Sequence, residues 1–592
     1  MSVPPSSHSS RLSREQFRKQ LQDEVALHRR AIVDLHVQMN TTIPIAVLPP
    51  EMLACIFSWY IIAVAHANTA ISRGWYLPSN SASHYRWIKI THVCHHWREV
   101  ALSSPELWTD ILVEGAHECI EAFLSRSKQA LLDIFIPTSH NQTMDVIQRV
   151  FGAISRARTF SLCSMSTDSA SEVLLNSLPS SAPHLRVLEM SLGGTLPVSA
   201  SFPPFLTQCA APSLTELTIT RYQVDWKTGV FPKSLTHLHI VHPTEKSTKI
   251  GTSSASVVAV LAELGSLKHI ELAQVLPDLS LPDDVISLPS LPSTASLPNL
   301  EYLSLRGSSL PCVVILKHCI FPETARVMLH LNSVLSPTTL RLIAPPIHAK
   351  VVNAISVGGK PKLSNILVQA FGGIRLFSLG QTISRAEIYV PSLLTLIELL
   401  LVEGPVPRIP LRQVRALSIS AFSEEVSSTE LDPLARLIHR LPRLQYLLCE
   451  GVARSNIIAW LRLRQKVSAA TVASQNSETP GPDRRPYAMP QLSHLVLRNV
   501  RFRRVNPYCD DDPGSGLTHD LCETMELRKG TCAQLKKITI LKCLNMDEDD
   551  VAILSALTKI IWDKVVDYDE TDDDDEDDSE FDDYDDYDDE LW

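Results

Sequence analysis

The chain has 592 residues, a formal charge of -11, and 45% hydrophobic residues, which is long for one ordinary domain, although a repeat array can grow without enlarging a single core. Residues 567 to 590 hold 18 of the 65 acidic side chains and no Lys or Arg, leaving 47 acidic against 54 basic elsewhere, so a mildly basic body precedes a strongly acidic tail. The twelve cysteines contain no CxxC pair, which argues against a disulfide framework, and the start is Ser/Pro-rich where a secretory signal would be basic and then apolar. The expectation is an intracellular protein, cytoplasmic or nuclear, with no membrane partner, since the apolar stretch Trp59 to Ala67 is too short to cross a bilayer. No nucleic-acid partner is expected.

Residues 1–12 are expected to be disordered. Over 13–43, Phe17, Leu21, Val25, Ile32, Leu35 and Met39 line one helix face, with His28 where a heptad would place an apolar residue. This amphipathic helix packs on the segment that follows, stands as a spacer, or dimerises as a coiled coil. The working expectation is a monomer within a larger complex.

Over 44–112 two apolar segments stand about forty residues apart. In the first, Leu48 precedes Pro49 and Pro50, which fix φ and suit a first helical turn; Glu51 suits the positive end of the helix dipole; Met52, Leu53, Ile56 and Phe57 then recur at i, i+1, i+4 and i+5. In the second, Val93, Cys94, Trp97, Val100 and Ala101 fall at helical spacing, and Ser103-Ser104-Pro105 stops the helix before Leu107-Trp108. The order of these residues resembles the F-box: a Leu-Pro-x-Glu-x-Leu opening, an Ile-Phe pair, a Val-Cys-x-x-Trp helix and a closing Leu-Trp. It is most similar to a large fungal F-box family with a preceding helix and following degenerate leucine-rich repeats. Ser58 to Tyr85 reads as an insertion. The resemblance implies binding to a Skp-type adaptor and a cullin scaffold through Leu48, Pro49, Leu53, Ile56, Phe57, Val93, Cys94, Trp97 and Trp108, at the interface or in the small core behind it.

Over 113–565 a unit Leu-x-x-Leu-x-Leu recurs at Leu185/Leu188/Met190, Leu214/Leu217/Ile219, Leu235/Leu238/Ile240, Leu267/Ile270/Leu272, Leu300/Leu303/Leu305, Ile374/Phe377/Leu379, Val414/Leu417/Ile419, Leu444/Leu447/Cys449, Leu492/Leu495/Leu497 and Leu535/Ile538/Ile540, the last reaching Cys543. The last two apolar positions are two apart, so in a strand both face the core and the residue between them faces outward. Glu189, Thr218, His239, Glu271, Ser304, Ser378 and Ser418 are thereby expected on an open, concave face that binds a protein substrate. Prolines 183, 212, 232, 298, 442 and 490 sit two or three residues ahead of their units and are expected to end a helix and fix entry to the strand. Spacings of 21 to 48 residues, with one gap of 74 between Leu300 and Ile374, predict an uneven array. Loops are expected at 281–298, 468–490 and 506–516, and a disordered acidic tail over 566–592.

His92, Cys94, His95 and His96 lie on one expected helix whose consecutive side chains diverge, and Cys509, Cys522, Cys532 and Cys543 lack the close pairs of a zinc site, so no metal is expected. Arg501, Arg503 and Arg504 read as a solvated basic cluster. No phosphate loop, Gly-x-Ser-x-Gly elbow or His-Glu-x-x-His occurs, so neither cofactor nor catalysis is expected. The predicted class is α/β: a small all-α F-box module, then an irregular leucine-rich-repeat-like solenoid. The expected function is that of a substrate receptor of a Skp-cullin-F-box type E3 ubiquitin ligase, the alternative a non-ligase repeat scaffold whose acidic tail binds basic proteins.

Overall fold

A computed structural model describes residues 14–69, 84–114, 117–137, 144–164, 179–192, 206, 209–242, 253–277, 279, 287–332, 336–354, 356–357, 360–361, 363–369, 373–378, 386–390, 393–401, 409–422, 428–465, 486–503 and 516–565. The expected disordered start and acidic tail lie outside these residues, as do most of the second and third expected loops. The described chain is α/β and forms two compact units, one of residues up to 277 with 293–299, the other of 278–292 with residues from 300 onward.

The first unit opens with α1 (Arg14–Thr41), a 3-10 turn (Pro44–Val47), α2 (Pro50–Thr69), a 3-10 helix (Tyr85–His92), α3 (His95–Ser103) and a 3-10 turn (Pro105–Trp108). β1 (Asp110–Leu112), α4 (His117–Arg126), β2 (Leu132–Ile136), α5 (Met144–Gly152), β3 (Ala157–Ser164), β4 (Val187–Leu192), β5 (Glu216–Thr220), β6 (His237–Val241), α6 (Ser254–Glu263) and β7 (His269–Ala273) follow. The strands pair in chain order, each parallel to the next. Strand pairing thus begins inside the segment read as the F-box.

In the second unit β8 (Tyr302–Gly307), α7 (Ser309–His318), β9 (Arg326–Leu331), α8 (Pro337–Ala354), β10 (Leu363–Gln369), β11 (Gly373–Ser378), β12 (Ala386–Tyr389), α9 (Leu393–Leu401), β13 (Ala416–Phe422) and α10 (Ser428–His439) lead to β14 (Tyr446–Val452). α11 (Arg454–Arg462), β15 (His494–Arg498), α12 (Leu517–Arg528), β16 (Lys537–Leu541), α13 (Glu548–Ser555) and β17 (Lys559–Trp562) complete it. The spatial order is β8, β9, β12, β11, β10, then β13 to β17, parallel throughout except β11, which opposes both neighbours.

Nine of the ten expected units fill this design, with all three of their apolar side chains buried. Each such leucine contributes about 1.5–3 kcal/mol of burial. The tenth is corrected: the strand at Ile374 is the reversed β11, where Leu376 is buried in register with buried Ile366, and Leu379 lies outside the described residues. The wide gap before it holds β9 and β10, which the motif missed.

Four of the prolines fix the entry to their strands through a turn. Leu185, Leu214, Leu444 and Leu492 donate their N–H to the carbonyls of Ala182, Ala211, Leu441 and Met489, so Pro183, Pro212, Pro442 and Pro490 occupy the second position of a four-residue turn. Their fixed φ suits that position, and each turn leads into a strand; Pro442 also follows the end of α10 at His439 by three residues. A repeated ladder then ties neighbours. The Arg186 carbonyl accepts from Thr215 and Glu216, that of Thr215 from Thr236 and His237, and that of Gln445 from Ser493 and His494.

Candidate partner-docking site

Leu48 has φ -64° and ψ 140°, the extended conformation that a following proline imposes. The Pro49 carbonyl accepts from Met52 (3.0 Å) and Leu53 (3.1 Å), which closes the first turn of α2 with no amide wasted on Pro49 or Pro50. The helix then runs to Thr69, through the first part of the stretch read as an insertion, because Trp59 to Ala65 continues the run of apolar residues with no Gly or Pro to break it.

α2 is apolar on two sides. Its inner side carries Leu53 and Phe57, fully buried against α3 and the 3-10 segments, with the Phe57 ring 5.1 Å from that of Trp97. Its outer side carries Met52 (54% exposed), Ile56 (40%) and Trp59 (68%), at i, i+4 and i+7, flanked by exposed Cys55, Tyr60 and Ile62. From Met52 to Thr69 the helix has no Asp, Glu, Lys or Arg. An uncharged apolar stripe of this kind on a helix surface has the composition of a protein interface core.

The expected adaptor residues therefore divide. Ile56, Val93 (59% exposed) and Pro49 are accessible; Leu48, Cys94 and half-buried Trp97 line the margin; Leu53, Phe57 and Trp108 are core. Trp108 donates its indole N–H to the Ala101 carbonyl (2.7 Å) and packs at 5.0 Å from both Trp87 and Phe123, with the Arg126 guanidinium 4.4 Å from its ring centre. The Tyr85 hydroxyl bridges the Leu112 main chain, donating to its carbonyl and accepting from its N–H at 2.9 Å each, and burial pushes the phenol far above its ordinary value. This aromatic cluster seals the helices onto β1 and α4.

One expectation about the second helix fails. Cys94 is extended (φ -157°, ψ 170°) and is the N-cap of α3, so Val93 and Cys94 precede that helix instead of belonging to it. Trp87, Ile90 and Thr91 bury one side of the 3-10 helix while Val100 and Ala101 bury α3, and the break at Cys94 lets both faces point inward. The His92–His96 cluster is spread over two elements, and no group of three potential metal ligands occurs among the described residues.

A second polar surface lines the open face of the strands. In register across the first unit, Ser161 donates to Glu189 (3.0 Å), Thr218 follows, and His239 lies 3.0 Å from Glu271; one row away His237 stacks on His269 at 4.5 Å. Thr218, His239, Glu271 and Ser418 are partly exposed and Glu189 is exposed, as expected. Ser304 is not: it is 1% exposed, because Met328 stands opposite it on β9 and receives the Tyr302 hydroxyl at 3.5 Å. The Ser378 side chain lies outside the described residues.

Sequence reasoning missed an Asp133–Arg158 pair on β2 and β3, an Arg326–Glu387 pair across β9 and β12, and the His330–Tyr389 stack at 4.2 Å. The Glu387 carboxylate also accepts from the Tyr389 hydroxyl (2.9 Å). Ala157/Phe160/Leu162 and Ala325/Val327/Leu329 carry the alternation in altered form, with alanine as first anchor, and a looser template would have found them.

No family model matches the chain, and no curated protein matches it. Among solved structures, the crystal structure of a TLR13–ssRNA13 complex is similar at 12% identity and a TM-score of 0.29, over 76% of this chain and 48% of that one. The chain spans about half the length of that structure. No described helix is long and apolar enough to cross a membrane.

Proposed function

We propose that the protein is a substrate receptor of a Skp-cullin-F-box type E3 ubiquitin ligase, with the outer side of α2 docking a Skp-type adaptor and the open strand face receiving a protein substrate. One observation carries the reading: Leu48-Pro49 starts a helix whose outward stripe, Met52, Ile56 and Trp59, is apolar and uncharged. The protein transfers nothing itself. It raises the effective concentration of the target lysine beside the ligase.

The alternative scaffold, in which these helices only cap the array, has its own support in the Trp87, Trp108 and Phe123 cluster that seals them onto the first strands. A cap, however, needs a polar outer face. The outer face of α2 is the reverse. The two readings part in full-length chain, because Ile111 and Leu112 pair with β2 and a fragment ending at 112 would lack its core. Ile56→Asp with Trp59→Asp changes only exposed side chains, so the expected result is loss of capture of purified Skp adaptor with unchanged circular dichroism; interface anchors of this type cost about 2–4 kcal/mol each. Capture equal to that of the unaltered chain would remove the ligase reading and leave the scaffold.

A further inference from the structure

Every described side chain of α1 from Arg14 to Met39 is exposed, and the helix packs on the 3-10 turn at Pro44–Val47 that directly follows it. Among the described residues that turn is its main contact with the F-box-like segment. Twenty-eight residues of helix with Leu21, Val25, Ile32, Leu35 and Met39 in solvent have no stabilising tertiary contact along most of their length.

The residues on that face specify a partner. Leu21, Val25, His28, Ile32, Leu35 and Met39 are separated by alternating steps of four and three, the seam of a heptad repeat. In heptad letters Val25 and Ile32 fall at a, Leu21 and Leu35 at d. β-branched a positions with leucine at d favour two parallel strands. Glu24 then falls at g and Arg29 at the following e, where a parallel partner places them against each other, once on each side of the seam. The other g-to-e pairs, Phe17 with Gln22 and Ala31 with His36, bring no two carboxylates or guanidinium groups together.

We infer that α1 pairs in parallel with α1 of a second copy of this chain, burying the Leu21/Val25/Ile32/Leu35/Met39 seam and crossing Glu24 with the Arg29 of the partner copy. His28 is the one polar residue in the seam from Leu21 to Met39, and it holds the register at some cost in affinity. This replaces the monomer expected from sequence. It does not rest on the adaptor reading, because α2 and its outer stripe take no part.

The test is the mass of the full-length chain in solution by sedimentation or light scattering, over micromolar to tens of micromolar. A dimer, twice 65.7 kDa, is expected, and a monomer throughout that range overturns the proposal. Val25→Asp with Ile32→Asp should give a monomer, while Val33→Asp, equally exposed but off the seam, should leave the dimer. If Val33→Asp dissociates the dimer as fully, or if the seam variant does not, the interface is elsewhere. Glu24→Arg and Arg29→Glu should each weaken the homodimer, and mixing the two variants should restore it as a heterodimer, since both crossed pairs again oppose in charge. Failure of that rescue overturns the parallel pairing. His28→Leu should tighten the dimer about tenfold or more, as two buried leucines replace two imidazoles.

Discussion

Arg528 is fully buried, and no carboxylate among the described residues pairs with it. Its guanidinium donates to the carbonyls of Ala533 (2.7 Å), Leu461 (2.6 Å) and Met489 (3.2 Å) and lies 4.5 Å from the centre of the Tyr487 ring. Burial lowers its pKa to about 10, partly offset by Tyr487, so it remains charged near neutrality and its charge is spread over three main-chain dipoles. Those carbonyls end α11, a turn before β15 and a turn before β16, and one side chain therefore staples three successive repeats. Arg528→Leu would remove this donor from all three, leaving Met489 only the bond from Leu492, at about 1–3 kcal/mol for each buried acceptor that finds no other partner. The expected outcome is a lower urea midpoint, also for Arg528→Lys, which keeps the charge but lacks the planar fork. An unchanged midpoint in both would show the staple to be idle. None of this was legible in the sequence, because two of the acceptors lie 67 and 39 positions away and a lone arginine in an amphipathic helix reads as solvated.

At the scale of elements, strands were legible and helix ends were not. Period-two burial repeats whatever the partner, so Leu188/Met190 and Leu495/Leu497 announce strands unaided; the reversal of β11 escaped because it depends on its neighbours, not on its own residues. Arg503, expected in solvent, is fixed at 2.8 Å to both Asp547 and Asp550, while Arg504 and Cys509 lie outside the described residues. Asp547 caps α13 through a reciprocal capping box with Asp550, and Thr518 donates to Asp550 from α12 (2.6 Å). Burial raises the Asp547 carboxyl, but bonds from Arg503 and the Asp550 amide together outweigh it and hold the pKa below the ordinary carboxylate value. A carboxylate with a depressed folded pKa stabilises the fold above its unfolded pKa and loses that contribution as pH falls through the folded one. Amides of α13 should therefore exchange faster, relative to their intrinsic rates, below about pH 4 than at pH 7. Asp547→Ala should cost about 1 kcal/mol at neutral pH and flatten that response. A response that survives the substitution would place the titrating group elsewhere.

At the scale of the molecule, the parallel ladder makes each repeat depend on the ones beside it. Leu217 is buried between Leu188 on β4 and Leu238 on β6, and the Arg186 and Thr215 carbonyls join these same repeats. Stability in such an array is a sum of repeat and nearest-neighbour contributions. Leu217→Ala should cost about 2–5 kcal/mol locally. Hydrogen exchange should then report lost protection in β4, β5 and β6, with β14 to β16 still protected. A uniform loss across all strands would mean that the chain unfolds as one cooperative body, and the quasi-one-dimensional account would fail. This also explains why the sequence disclosed the array more readily than any site: the repeat is written redundantly, once per strand, whereas the exposed apolar stripe of α2 occurs once. Met52, Ile56 and Trp59 have the composition of core residues, and only the burial of Leu53 and Phe57 on the opposite side of the same helix distinguishes them.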